Sequence, residues 1–266
     1  MASILDEIFA AKRAEVRSQR VTVTPAAIAA AAVRAPAPRS FIDSLRAHRP
    51  AIIAEVKRAS PSKGDILPGL DPAAVARDYA AAGAAAISVL TDRHFKGSLD
   101  DLRAVREAVD LPLLRKDFIF DPYQLYEARA AGADCILLIA AMLKEGELRS
   151  LAALARELKM AALIEVHDAD EFALARKVDA ELIGINNRDL HTFKTDIATT
   201  ETLLSGYDGD ALIVSESGIE TAADIARLSA AGARGFLIGE SLLRGGAPRA
   251  ALATLTAAGG GHDARK

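Results

Sequence analysis

From residue 51 almost to the C-terminus, short and nearly unbroken apolar runs alternate with segments of helical periodicity, and this alternation constrains the chain more than any other feature. The runs are 51–56, 85–90, 113–116, 135–140, 161–166, 182–186, 211–215 and 235–238; helical patterns occupy 72–82, 99–108, 122–131, 144–158, 169–178 and 222–231 between them. A strand with one wet face alternates apolar and polar residues. Runs that stay apolar must be covered on both faces, and helices long enough to cross over between them make the sheet parallel. Eight such units in about 215 residues fit a closed (β/α)8 barrel better than an open doubly wound sheet, which more often has five to seven strands. The tetrapeptide Ala-Ala-Gly-Ala recurs around Gly83, Gly132 and Gly232, each time between a helical pattern and a run, where glycine suits the left-handed end of a helix.

A chain of 266 residues suffices for one such α/β TIM barrel, and 51% hydrophobic with 26% charged residues is ample for its core. The expected organisation is an N-terminal helical extension over 1–48 packed on the barrel, the barrel over 49–256, and a frayed tail over 257–266. Within the extension, Ile4, Leu5, Ile8, Phe9 and Val16 follow a helical period from a Ser3 cap. Its polar face mixes both signs, so a helix lying on the barrel surface is expected rather than a membrane or partner helix.

Lys and Arg number 33 against 36 Asp and Glu, a net charge of −3, so no nucleic acid or anionic membrane is expected as a partner. No obligate protein partner is implied either. Cys135 is the only cysteine and has no internal disulfide partner. The Ala-rich stretch 25–38 is interrupted by Arg34, Pro36 and Pro38, and the first twenty residues lack a secretory pattern, so the reading is a cytoplasmic protein without a membrane span.

A parallel barrel carries its chemistry at the C-terminal ends of its strands. The first run ends in Glu55-Val56-Lys57, and a period of two puts Glu55 and Lys57 on one face. Lys116 ends the third run, Glu165 the fifth and Asn186 the sixth. Each alone is equally a solvated strand end or half of an ion pair; together, on independent strands, they converge on one mouth. Runs seven and eight end in Ser215-Glu216-Ser217-Gly218-Ile219 and Leu237-Ile238-Gly239-Glu240-Ser241, whose small residues leave backbone N–H groups free to surround a phosphate. Glu240 is expected to offer only its backbone there, and a side chain at Gly239 to clash with the phosphate. The loop Ser60-Pro61-Ser62-Lys63-Gly64 reads as a lid or as a plain surface loop. His48, His94, His167, His191 and His262 show no metal-ligand spacing, and no Gly-x-Gly-x-x-Gly or Walker pattern is present, so neither metal nor cofactor is expected. Cys135 reads as a core residue.

Ile-Ile-Ala-Glu-Val-Lys-Arg-Ala-Ser-Pro-Ser-Lys-Gly (52–64), Leu-Leu-Arg-Lys-Asp-Phe-Ile (113–119), Ile-Gly-Ile-Asn-Asn-Arg-Asp-Leu (183–190) and Ser-Glu-Ser-Gly-Ile (215–219) resemble, in order and spacing, the indole-3-glycerol phosphate synthase family. The resemblance runs from the N-terminal helix to the last strand. It implies a metal-free carboxy-lyase of tryptophan biosynthesis that converts 1-(2-carboxyphenylamino)-1-deoxyribulose 5-phosphate to indole-3-glycerol phosphate, losing carbon dioxide and water. By the same resemblance Lys116 is the general acid at the ribulose carbonyl, Glu165 and Lys57 assist the later dehydration, and Glu55 orients Lys57. Asn186, Arg188, Ser60 and Phe118 match substrate-pocket positions, and Ser217, Gly218, Gly239 and Glu240 match phosphate positions. Glu240 is a departure, since some members carry serine there.

The residue types suit that chemistry. A ketone oxygen that becomes negative needs an ammonium donor, and the later steps need a second acid and a base. Two lysines in a dry mouth should lower one another's affinity for protons, with Glu55 and Glu165 limiting the effect. Two other readings stay open at this point: a Schiff-base aldolase with Lys116 as nucleophile, and a phosphate-binding protein without turnover.

Overall fold

The computed structural model describes residues 4–60, 64–67, 69–189 and 192–257. Eight parallel strands close into a barrel: β1 (Ala51–Val56), β2 (Ala86–Leu90), β3 (Leu113–Lys116), β4 (Cys135–Ile139), β5 (Ala161–Val166), β6 (Leu182–Asn186), β7 (Leu212–Glu216) and β8 (Gly235–Ile238). Each strand pairs with its neighbours in sequence, and β1 closes the ring against β8, with Ala51 opposite Gly235 and Ile53 opposite Leu237. The expected strands are all present. The informative difference is β7, which lies one residue later than its apolar run and takes Glu216 into the sheet, opposite Asn186 and Leu237.

Strand parity divides the core in two. Ile53, Leu114, Leu137, Leu163, Leu182, Val214 and Leu237 point inward and form the barrel interior. Ile52, Ala54, Ile87, Val89, Ile136, Leu138, Ile183 and Ile213 point outward and are buried under the helices. Both faces are therefore apolar, as an uninterrupted run requires.

The surrounding helices are α4 (Pro72–Ala81), α5 (Leu99–Ala108), α6 (Pro122–Ala130), α7 (Glu145–Glu157), α8 (Ala169–Lys177), α9 (Ala198–Leu204), α10 (Ala222–Ala231), the single turn α11 (Glu240–Leu243) and α12 (Pro248–Ala257). Local capping sets several starts: Ser98 with Asp101, Asp121 with Gln124 and Thr221 with Asp224 form reciprocal capping boxes. The three repeated glycines adopt the expected positive φ, at 84°, 90° and 113°. α9 was not expected, because seven residues rich in threonine are too short to show a helical period.

Three helices precede the barrel: α1 (Ile4–Thr22), α2 (Pro25–Arg34) and α3 (Phe41–Ala47). Ser3, the expected cap of α1, lies outside the described residues, as does the tail beyond 257. Phe41 and Leu45 of α3 join the interior cluster beside Ala51, Leu182 and Leu212 at the N-terminal ends of the strands, and so floor the barrel. Asp134 ties the extension down, accepting from the Arg39 amide (2.8 Å), the Leu113 amide (2.8 Å) and the Arg106 guanidinium (2.7 Å).

The charged face of α1 is not simply solvated, as a surface helix would have it. Lys12 is 1% exposed and pairs with Asp92 after β2 (2.8 Å) and Asp117 after β3 (3.0 Å). α1 is thereby pinned to the loops at the open end of the barrel. Among the described residues, no helix is long and apolar enough to cross a membrane.

Candidate active site

Inward parity at the C-terminal ends of β1, β3, β5, β6 and β7 brings Glu55, Lys116, Glu165, Asn186 and Glu216 to one cavity of about 320 Å³. Lys57, Phe118, Arg188, Ser217, Gly218, Gly239 and Glu240 line it as well, so every expected site residue but Ser60 is there. Ser60 pairs with Gly64 in a two-residue hairpin, but its side chain and residues 61–63 lie outside the described set. Ile8 of α1, Phe95, Leu137 and Phe193 add an apolar wall, with the rings of Phe95 and Phe118 6.4 Å apart.

Two ion groups organise the floor of the cavity. Lys57 Nζ lies 2.7 Å from Glu55 Oε1. Lys116 Nζ donates to Glu165 Oε2 at 2.9 Å and to Glu216 Oε2 at 2.8 Å. Glu165 thus pairs with Lys116, while Lys57 pairs with Glu55, the carboxylate that the resemblance implies orients it. Glu216 is the residue that sequence reasoning missed. Its signal was the parity that singled out Glu55: Leu212, Val214 and Glu216 share one face, but the Gly-Ser loop chemistry around Glu216 drew attention to the phosphate instead.

The charges balance differently from the expectation of two mutually acidifying lysines. Burial pulls the Lys116 pKa down, yet Glu165, Glu216 and Glu55 together outweigh it, and the net direction is upward. Burial also raises Glu216; Lys116 opposes it and Glu165 reinforces it, which leaves the carboxyl at about 7. For Glu165, burial is overcome by Lys116 and by His167, and its pKa falls. The two carboxyls that share Lys116 are thus pushed apart, Glu165 toward the ionised form and Glu216 toward the protonated one.

Two glycines make room for these carboxylates. A Cβ at Gly184 would fall on Oε1 of Glu216, and one at Gly239 would lie 2.5 Å from Oε1 of Glu55. The expected clash at position 239 is consequently with Glu55 first.

Beside this cluster, Ser217 and Gly218 take φ of 67° and 76°, turning the chain after β7 so that neither amide donates to an acceptor among the described residues. Asn187 holds the turn through its Nδ2, which donates to Ser215 Oγ (2.9 Å) and the Ser217 carbonyl (3.0 Å). Gly239 begins α11, and Ser241 Oγ donates to the Ile219 carbonyl at 3.0 Å, joining the loops after β7 and β8. The Glu240 carboxylate accepts from Arg244 at 3.0 Å and lies 4.0 Å from Arg188. Asn186 Oδ1 accepts the Arg188 amide at 3.1 Å.

Comparison with known proteins agrees with this layout. Solved structures of an N-acetylmannosamine-6-phosphate 2-epimerase from Clostridium perfringens (TM-score 0.61, 15% identity, 76% of this chain and 91% of that one) and of a 3-hexulose-6-phosphate synthase (TM-score 0.61, 16% identity, 78% and 99%) share the fold. Sequence likeness is far stronger elsewhere. Proteins named indole-3-glycerol phosphate synthase are 49% identical over 257 residues in Acidithiobacillus ferrooxidans (95% of this chain, 98% of the relative) and 51% identical over 253 residues in Roseiflexus sp. (91% and 94%). The family model described as indole-3-glycerol phosphate synthase matches residues 5–255. From the N-terminal helices to the last helix, then, the chain belongs to the indole-3-glycerol phosphate synthase family.

Proposed function

We infer that this protein converts 1-(2-carboxyphenylamino)-1-deoxyribulose 5-phosphate to indole-3-glycerol phosphate, the activity its relatives are named for. The observation that carries the reading is Lys116, held between Glu165 and Glu216 at the base of a cavity with an apolar wall and the turns after β7 and β8 at its rim. The amides of Ser217, Gly218, Gly239 and Glu240 receive the phosphate, since backbone N–H groups at a turn and a helix start favour an anion. Arg188 and Asn186 face the sugar chain, and the anthranilate ring lies against Phe118 and its apolar neighbours.

With the phosphate fixed, the ketone oxygen reaches Lys116. The ring carbon that bears the carboxylate attacks the ketone, and Lys116 gives the developing alkoxide a proton. Glu216, whose burial favours the protonated carboxyl and whose Oε2 lies 2.8 Å away, restores that proton. Carbon dioxide then leaves, with its bonding electrons returning to the ring. In the last step the new hydroxyl departs as water, protonated by Lys57 in its pairing with Glu55, while Glu165 accepts the proton lost from the ring system. An imine-forming lysine must be a neutral amine, and the carboxylates around Lys116 keep it an ammonium, so the aldolase reading loses its nucleophile.

The test is indole fluorescence on adding synthetic substrate to the purified protein without added metal. Product formation at a rate that saturates with substrate supports the reading; binding of a substrate analogue without turnover overturns it.

A further inference from the structure

His167, two residues beyond Glu165, is a buried titratable group that the chemistry above does not use. Its amide and its Nδ1 both face Glu171 Oε2, at 2.8 and 3.0 Å, and its Nε2 stands 3.3 Å from Glu165 Oε1. The other oxygen of Glu165 is the one that Lys116 holds. Local sequence builds the clamp: Asp168 caps α8 by accepting the Glu171 amide at 2.9 Å, which places Glu171 one turn in and folds its carboxylate back over residue 167. Nδ1 bonds the Glu171 carboxylate, while the buried Nε2 lies within ion-pair range of Glu165 without a hydrogen bond, an approach that the positive charge of an imidazolium favours. Burial lowers the pKa of this ring, but Glu165 and Glu171 raise it further, to about 10.

We propose that His167 is a positioning residue for the reaction: clamped by Glu171, it holds Oε1 of Glu165 so that the carboxylate stays ionised and presents Oε2 to Lys116 and the substrate. This rests on the function inferred above. The charged groups around the pair are Lys116 from β3, Glu216 from β7, Glu55 from β1 and Glu171 from α8. Without the imidazolium, Lys116 alone opposes the burial of Glu165, and Glu216 shares that lysine.

Removing an opposite charge at this range shifts a carboxylate by roughly 1–3 pKa units. In His167→Ala the acid limb of the kcat profile should therefore move up by about one unit or more, and kcat should fall while KM holds. His167→Gln restores a neutral donor near Glu165; it should recover most of kcat at about pH 8 while its acid limb stays shifted. An unmoved acid limb in both variants, or a loss confined to KM and thermal stability, overturns the proposal.

A second measurement needs neither turnover nor a folded variant of residue 167. Nitrogen-15 NMR of the wild-type imidazoles should show one ring still doubly protonated at about pH 8, where an ordinary histidine is neutral, and Glu171→Gln should lower the pKa of that ring. No such ring at that pH overturns the clamp. If the wild-type protein fails to turn over substrate, the functional reading falls, and the NMR result alone decides whether His167 and Glu165 are coupled.

Discussion

Gly239 at the end of β8 and Glu55 on β1 occupy complementary space: a single Cβ at 239 would stand 2.5 Å from Glu55 Oε1 and 3.0 Å from its Cβ. The backbone at 239 has φ −128°, outside the left-handed region that favours glycine, and it is clearance from Glu55 that calls for glycine there. A residue that looks like part of a phosphate loop thus also governs the placement of a carboxylate and, through it, of Lys57.

Gly239→Ala should consequently act on chemistry more than on phosphate affinity. Displacing Glu55 moves Lys57, and misplacement by about 1 Å is enough to cost up to ~10²-fold in rate. The expected result is a large fall in kcat with calorimetric binding of inorganic phosphate nearly unchanged. A weakened phosphate isotherm with normal kcat would return Gly239 to the purely anion-binding role read from the sequence.

Lys116→Met keeps most of the side-chain bulk and removes the donor at the ketone oxygen. Turnover should fall by ~10² or more, the scale of a missing oxyanion donor. Steady-state kinetics at saturating substrate measures this, and near-normal kcat would exclude Lys116 as the acid.

Lys12→Met tests the pin between α1 and the barrel. Substitution strands Asp92 and Asp117, 0% and 3% exposed, without their ammonium. Removing one member of a buried ion cluster typically costs about 3–5 kcal/mol, so the urea midpoint should drop sharply. A midpoint within error of wild type would mean that Arg115 alone satisfies Asp117.

Acid should unfold the protein partly through that same carboxylate. Burial raises the Asp117 pKa, but Arg115 and Lys12, with the Thr91 hydroxyl, lower it from 3.8 to about 2. Between these values the unfolded chain binds more protons, so stability rises with pH there. The contribution is complete above about pH 4 and is lost as pH falls through about 2. Urea titrations at stepped pH should show this fall, and in Lys12→Met, where the native Asp117 pKa moves back toward 3.8, it should be smaller and end at higher pH.

The barrel was legible because every strand is apolar on both faces, which leaves few alternatives to a parallel sheet. Most of the site was legible for a related reason: Glu55, Lys116, Glu165 and Asn186 stand at or near the ends of apolar runs on independent strands, so a parallel barrel brings them to one mouth. Glu216 obeys the same parity and was hidden only by its Ser-Gly neighbours. Lys12 and His167 were not legible. The partners of Lys12 lie far away in sequence, at 92 and 117, and a lysine on a mixed-charge helix face looks solvated until the loops that bury it are in place. His167 sits beside Glu171 at a spacing common on any helix; its significance comes from the ring reaching back to Glu165 around the end of β5.

Among the described residues, the floor laid by Phe41 and Leu45 closes the barrel at the N-terminal ends of its strands. Substrate, carbon dioxide and indole product then share the mouth at the C-terminal ends of the strands. Carbon dioxide, the small fragment that no anchor holds, departs past a skeleton still moored by its phosphate. The finished product must let go before the next substrate can dock, so the two compete for one berth, and inhibition by product should be competitive.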